Sequence, residues 1–229
     1  MILIGLDDTD TVESRGTGHL ARQIAAALAG AGYAISGVTR HQLLVDPRVP
    51  CTKNNSCAAI LVDADGEAHI AQLLDQVRAT VLAGYQPGSD PGLCVAGAVP
   101  APVTEFGRRV QRQVVDKEEA SHLAEANGVT LLGLGGTHDG IIGALAAVGL
   151  AASGDDGRYV LVGRSRELRG LQPVSAVLGA GIAAVQTQDG TRVTEGLVLT
   201  DKLRPARRGG LPIAIVEWTG DHWLPLKLD

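Results

Sequence analysis

Three carboxylates, Asp7, Asp8 and Asp10, stand within four residues at the end of an apolar run, Ile2 to Leu6. Such a run reads as a buried strand whose carboxyl end opens onto a polar site. Acids crowded this closely repel one another. A hard divalent cation such as Mg²⁺ offsets the repulsion, because it takes a few carboxylate oxygens and completes its shell with water and substrate phosphates. The same residues also suit an acidic turn, in which Asp and Thr side chains bind local backbone N–H groups and cap the next helix. Spacing alone leaves both readings open.

Further along, Ser14-Arg-Gly-Thr-Gly-His19 precedes a helical pattern, placing Arg15, Gly16 and Thr17 where the first amides of a helix meet an anion. A triphosphate fits between that turn and a metal on the acids. The GxxxxGK[ST] spacing of a P-loop is absent. In Pro50-Cys-Thr-Lys-Asn-Asn-Ser56, Lys53, Asn54 and Asn55 supply a cation and two amides able to hold phosphate or read a base edge. The glycine-rich run Gly133 to Gly140 suits bringing backbone N–H groups, with His138 or Asp139, up to a ligand at the start of a helix of small residues, and Asp139 equally suits an N-cap. Lys202, Arg204, Arg207 and Arg208 form a basic cluster that suits an anion or RNA contact, or simply a solvated face.

The elements that must position these groups follow from periodicity. Leu20, Ile24, Ala27 and Leu28 predict a helix ending at Gly30; Ile70, Leu73, Leu74, Val77 and Val81 predict a second. Strands are predicted over 33–45, 57–62 and 93–99, two helical stretches between Thr104 and Asn127, and a close-packing helix over 141–150. The pattern then turns strand-rich over 158–163, 182–187, 192–199 and 211–218, with Asp189-Gly190 as a hairpin turn. The change in pattern sets a boundary between residues 1–115 and 116–229.

With 45% hydrophobic and 20% charged residues, and no apolar run of the roughly 20 residues a membrane helix needs, the chain reads as soluble and globular. Its amino terminus lacks a signal-peptide pattern, so the expected address is cytoplasmic, without membrane contact. The net charge of −5 disfavours broad phosphate neutralisation, and 3% aromatic residues disfavour a stacking platform for bases. Cys51, Cys57 and Cys94 match neither a disulfide framework nor a zinc ribbon.

In their order, the strand followed by Asp7-Asp-Thr-Asp10, the turn with Thr17, the Pro50-Cys-Thr-Lys-Asn-Asn-Ser56 loop and Gly135-Gly-Thr-His-Asp-Gly-Ile-Ile-Gly143 resemble the amino-terminal half of the archaeal tRNA-Ile 2-agmatinylcytidine synthetases. Arg204 to Glu217 resembles the end of that family's ferredoxin-like domain. The resemblance implies an α/β plus α+β chain, a kinase-like α/β domain followed by a ferredoxin-like domain, with the site in the cleft between them. It further implies ATP and Mg²⁺ as cofactors, with Asp7, Asp8 and Asp10 on the metal and phosphates, and Arg15, Gly16, Thr17, Lys53, Asn54 and Asn55 around the nucleotide.

The family's autophosphorylated Thr falls on Gly18, which cannot accept phosphate, and Thr17 is the nearest hydroxyl. His138 or Asp139 would orient the acceptor. The family's OB domain and zinc ribbon, which grip tRNA, have no counterpart up to Asp229. The expectation is therefore an Mg²⁺- and ATP-dependent phosphoryl- or adenylyl-transfer enzyme acting on a small molecule or another acceptor, activated for attack by an amine. The alternatives are a tRNA-modifying enzyme that borrows a separate RNA-binding partner, and a nucleotide-binding protein without turnover.

Overall fold

The computed structural model describes residues 1–52 and 54–228, which group into two compact units, 1–153 and 154–228. Lys53 lies outside the described residues. In the first unit β1 (Ile2–Asp7) is followed by α1 (Thr17–Gly30), β2 (Ile35–Gln42), β3 (Ser56–Val62), α2 (Glu67–Ala83) and β4 (Gly92–Ala96). Their sheet order is β4-β1-β3-β2, with every neighbouring pair antiparallel. This is the split-βαβ order of the ferredoxin-like pattern. It occupies residues 2–96, whereas the sequence resemblance places that pattern within 116–229. The predicted boundary moves as well. β5 (Thr130–Gly133) pairs with β4 as a further antiparallel strand, and α5 (Ile141–Ser153) packs on the same sheet, so residues 116–153 stay with the first unit.

Alternation along β1 fixes which residues face which layer. Leu3 joins the core against α5, a Cβ on Gly5 would fall 2.0 Å from the Ala144 carbonyl oxygen, and one on Gly143 would fall 1.8 Å from the Asp7 carboxylate. Odd positions of β1 therefore face α5. Ile2, Ile4 and Leu6 serve the opposite face, where α1 and α2 lie. α5 is buried on all sides from Gly143 to Ala151, because α3 (Ala101–Val110) packs on it from the side away from the sheet. Small residues on both helices make that sandwich possible: Gly149 of α5 lies against the Val103 carbonyl and Gly107 of α3 against Leu150. α4 (Lys117–Ala126) is capped by Asp116, whose carboxylate accepts the Glu119 N–H at 2.8 Å.

In contrast to these filled positions, a Cβ on Gly18 of α1 would meet no atom within 4 Å, and its φ is not left-handed. Gly18→Ala is expected to stabilise the protein by about 0.5 kcal/mol through reduced chain entropy, read as a higher urea midpoint at unchanged slope.

The second unit is built around β11 (Leu211–Trp218). It pairs antiparallel with β10 (Ala206–Arg208) and β12 (Trp223–Pro225), and parallel with β8 (Ala184–Thr187). β6 (Arg158–Leu161) joins β10, while β9 (Leu197–Leu199) joins β12 and also pairs with β7 (Leu171–Pro173). α6 (Val174–Gly179) covers a core of Tyr159, Val177, Ile182, Val185, Val198, Ala214 and Val216. The Asp189-Gly190 turn forms and bridges Gln186 to Arg192, with the Val193 N–H on the Val185 carbonyl at 2.8 Å, but the predicted 192–199 strand is continuous only over 197–199.

Candidate functional site

β1 delivers its last side chain, Asp7, towards the first turn of α5, where Gly143 has no side chain to exclude it. Close burial raises the Asp7 carboxyl well above the ordinary carboxylate range, and the charge of Asp8 adds to this. Asp8 turns out of the strand in the left-handed region, with φ 49°. Among the described residues it shares that backbone state only with glycines and His138, and such positions concentrate at functional sites. Its pKa is pushed up to about 6, first by burial and then by the charges of Asp90, Asp10 and Asp139.

Asp10 does something else. One of its oxygens accepts the N–H and hydroxyl of Thr17, at 2.9 and 2.8 Å, and the other accepts the hydroxyl of Thr52 at 3.0 Å. The anion at the N-terminus of α1 is therefore the chain's own Asp10, which also clasps the 43–55 loop to that helix. Asp10 thus serves the first amide of α1 while lining the same cavity as Asp7 and Asp8. The Thr17 hydroxyl is saturated too, since it also accepts the N–H and hydroxyl of Thr9, at 3.3 and 3.2 Å. Thr17→Val is expected to cost about 1–2 kcal/mol of stability, measured by denaturant unfolding, because it leaves buried partners without their bonds.

Asp90 and Asp139 complete the acidic group, and both depend on the glycine-rich loop. The Asp90 carboxylate accepts the Thr137 N–H, and its carbonyl accepts the Gly140 N–H at 3.1 Å. A Cβ on Gly140 would sit 2.1 Å from that carbonyl, so only glycine permits the approach. Lys117 holds the loop from the other side, donating to the Thr137 carbonyl at 2.7 Å and lying 3.2 Å from the Asp139 carboxylate. The N–H groups of Thr137, His138, Gly140 and Ile141 are thereby spent inside the protein instead of being presented to a ligand.

These groups line one cavity of about 330 Å³, wholly within the first unit and at the lower end of the range for small-molecule sites. The acids form one end, and Leu44, Val49, Val110, Val114, Val115 and Ile142 form an apolar wall. Thr17, Asn54 and Asn55 also line it, although Asn55 spends its amide on the Leu44 carbonyl at 2.8 Å. Arg48 lies on the rim, already paired through two bonds with Asp46.

Three predicted residues lie elsewhere. Arg15 is exposed and reaches His19 at 3.4 Å, outside the cavity, and Gly16 serves only as the residue before α1. His138, at φ 67°, packs on Gly133 and lines a separate depression with His122 and Ser121. Sequence reasoning missed Asp90, Lys117 and Arg48. Of these, Asp90 carried a local signal, as an acid two residues before the strand beginning at Gly92.

Among the described residues no three His, Cys, Asp or Glu side chains are arranged to enclose a metal ion. Asp7, Asp8, Asp90 and Asp139 line the cavity with oxygen donors only, the class of ligand that hard cations take. Cys57 and Cys94 are buried and Cys51 is exposed, all as free thiols.

No family model matches the chain. The tRNA(Ile2) 2-agmatinylcytidine synthetase TiaS of Cenarchaeum symbiosum (strain A) is 29% identical over 172 residues, which cover 73% of this chain and 37% of that protein. Over that span the chain is similar to TiaS. An uncharacterized protein of Methanocaldococcus jannaschii is 28% identical over 154 residues, 66% of this chain and 50% of that one. The chain thus spans about a third to a half of the length of the curated relatives it matches.

Among solved structures, a tRNA fluorescent labeling enzyme superposes with a TM-score of 0.57 at 23% identity, over 65% of this chain and 35% of that one. A TiaS–tRNA(Ile2)–ATP complex gives 0.56 at 23% identity, over 65% and 36%. At these identities the likeness to the TiaS structures is one of fold.

Proposed function

We propose that the first unit binds ATP with Mg²⁺ and transfers a phosphoryl or adenylyl group, activating an acceptor for attack by an amine. The observation that carries this reading is the convergence of Asp7, Asp8, Asp90 and Asp139 on one cavity, with Asp8 raised to about 6 by burial and by like charges. Unbalanced acids of this kind call for a cation, and the cavity has room for the ligand that brings it. The similarity to TiaS and the likeness in fold to the ATP-bound TiaS structure support ATP as that ligand. Bound there, Mg²⁺ would neutralise phosphate charge and align the reacting groups.

The chain's own residues do the rest. Asp8 and Asp7 provide carboxylate oxygens from the end of β1, while Asp10 positions the 43–55 loop through Thr52. Lys117, once drawn from Asp139, reaches phosphate oxygens as a point charge, and Lys53 is assigned the same role from the sequence. Asp139, standing beside the acids, orients the attacking amine. The apolar wall covers an aliphatic body and excludes water from the transfer.

A second reading, nucleotide binding without turnover, is favoured by one observation: the Thr17 hydroxyl is saturated by Asp10 and Thr9, and position 18 is glycine. Transfer of an RNA-directed kind would use a separate RNA-binding partner. ATP turnover with Mg²⁺, measured with and without aliphatic primary amines, tests the proposal. Amine-stimulated release of ADP or AMP supports it. ATP bound without turnover under any amine selects the second reading.

A further inference from the structure

The amino-terminal end of α1 gathers three basic side chains that the cavity does not use. Arg15 Nη1 lies 3.4 Å from Nε2 of His19, and Arg22 Nη2 lies 3.4 Å from Nδ1 of the same ring. Those two ring nitrogens flank a single carbon, Cε1, so one imidazole edge separates the two guanidiniums. A neutral imidazole has one acceptor nitrogen and a protonated one has none. In either tautomer, therefore, one of the two guanidiniums meets an N–H where it needs an acceptor.

No acid of the helix answers this. α1 contains neither Asp nor Glu, and Arg15 has no carboxylate partner among the described residues. Cations at this end also oppose the helix dipole, which favours an anion here. His19 is held below the usual imidazole range, first by desolvation and then by the charges of Arg15 and Arg22. We infer that Arg15, His19 and Arg22 form a binding site for a phosphate-class oxyanion. Seated at the Cε1 edge, a tetrahedral phosphate accepts from both guanidinium forks and from the ring N–H, which gives each donor the acceptor that one imidazole cannot. Arg22 is anchored for this by donating to the Gly18 carbonyl at 2.8 Å, while exposed Arg15 approaches from the loop before the helix. The oxyanion belongs either to free phosphate or to the phosphodiester backbone of an RNA strand, and the test separates them. Of α1 only Thr17 lines the cavity, so the site stands whether or not that cavity binds nucleotide.

The full chain is tested as wild type, Arg15→Gln, Arg22→Gln and the double variant, with Arg78→Gln at an exposed position of α2 as a control for lost charge. Inorganic phosphate is titrated at constant ionic strength against chloride and followed by the ring resonances of His19. A single-stranded RNA of about 20 nucleotides is titrated at about 50 and 200 mM salt. One expected result is His19 resonances that move with phosphate in the wild type and the control but stay in place in the double variant. The other is an RNA affinity about tenfold weaker in the double variant, with a salt slope smaller by about one. A phosphate response lost in the double variant assigns free phosphate; RNA affinity lost with it or alone assigns the phosphodiester. No response of the wild type to either ligand, equal responses in wild type and double variant, or the same loss in Arg78→Gln overturns the site.

Discussion

Asp8→Asn is expected to abolish binding of Mg²⁺–ATP and, in the same protein without ligand, to raise the melting temperature above pH 6. Both effects follow from one carboxylate. Asparagine tolerates the left-handed backbone at φ 49°, so the turn survives the substitution. It cannot carry the charge that a metal-bound triphosphate requires. The stability effect has a definite sign. The Asp8 pKa rises from 3.8 to about 6 on folding, so between those values the native state holds the proton more firmly than the unfolded chain does. Stability therefore falls as pH rises through that window, and the whole penalty is present above about 6.

Removing the carboxylate returns roughly 1 kcal/mol at pH 7.5, a figure reduced because the open cavity screens the charges, and this corresponds to about 2–4 °C. Below pH 4 the wild type and the variant should melt together. A variant that melts below wild type at pH 7.5 would mean that Asp8 makes favourable contacts in the unliganded protein. Retained ATP binding would remove it from the site.

Gly5→Ala should do the opposite and do it strongly, costing about 3 kcal/mol or more, so that the protein unfolds at low urea or accumulates as insoluble material. The added methyl would meet the Ala144 carbonyl oxygen at 2.0 Å. That atom belongs to the backbone of α5 and has no rotamer into which to swing. The helix would have to lift from the sheet, uncovering Leu3, Ala59 and Leu61 and displacing the Gly143 notch that receives Asp7. Paired with Gly18→Ala, where the same methyl meets open space, the experiment asks whether glycine is demanded by packing or merely tolerated. Opposite signs are the predicted outcome, and equal small effects would show that α5 does not lie as closely on β1 as described.

How much of this was legible beforehand depended on how local each cause is. The runs behind β3 and β11 are continuous and apolar, and the small residues after the glycine loop announce a helix that packs closely, so these elements follow from a few neighbours. Asp7 and Asp8 were visible because their crowding is itself unusual. What no window of the sequence holds is strand order. The β4-β1-β3-β2 arrangement arises from pairing across the sheet, and an antiparallel split-βαβ unit has the same succession of strands and helices as other α/β patterns.

The same limit hid Lys117 and the role of Asp90, which reach the site only because β5 returns beside β4 and α4 leads into it. Arg15 misled for a different reason. A helix N-terminus attracts an anion, but at α1 the anion is Asp10, seven residues upstream of the amide it caps. The glycine loop misled similarly, since Asp90 and the loop's own carbonyls consume most of the amides it was expected to present.

Calorimetric titration of ATP into the full chain, in Mg²⁺ and separately in EDTA, tests the central claim most directly. The account predicts saturable binding with Mg²⁺ and none detectable in EDTA, because the acidic end of the cavity repels a triphosphate that arrives without its cation. Equal affinity in both buffers, or no binding in either, would contradict it.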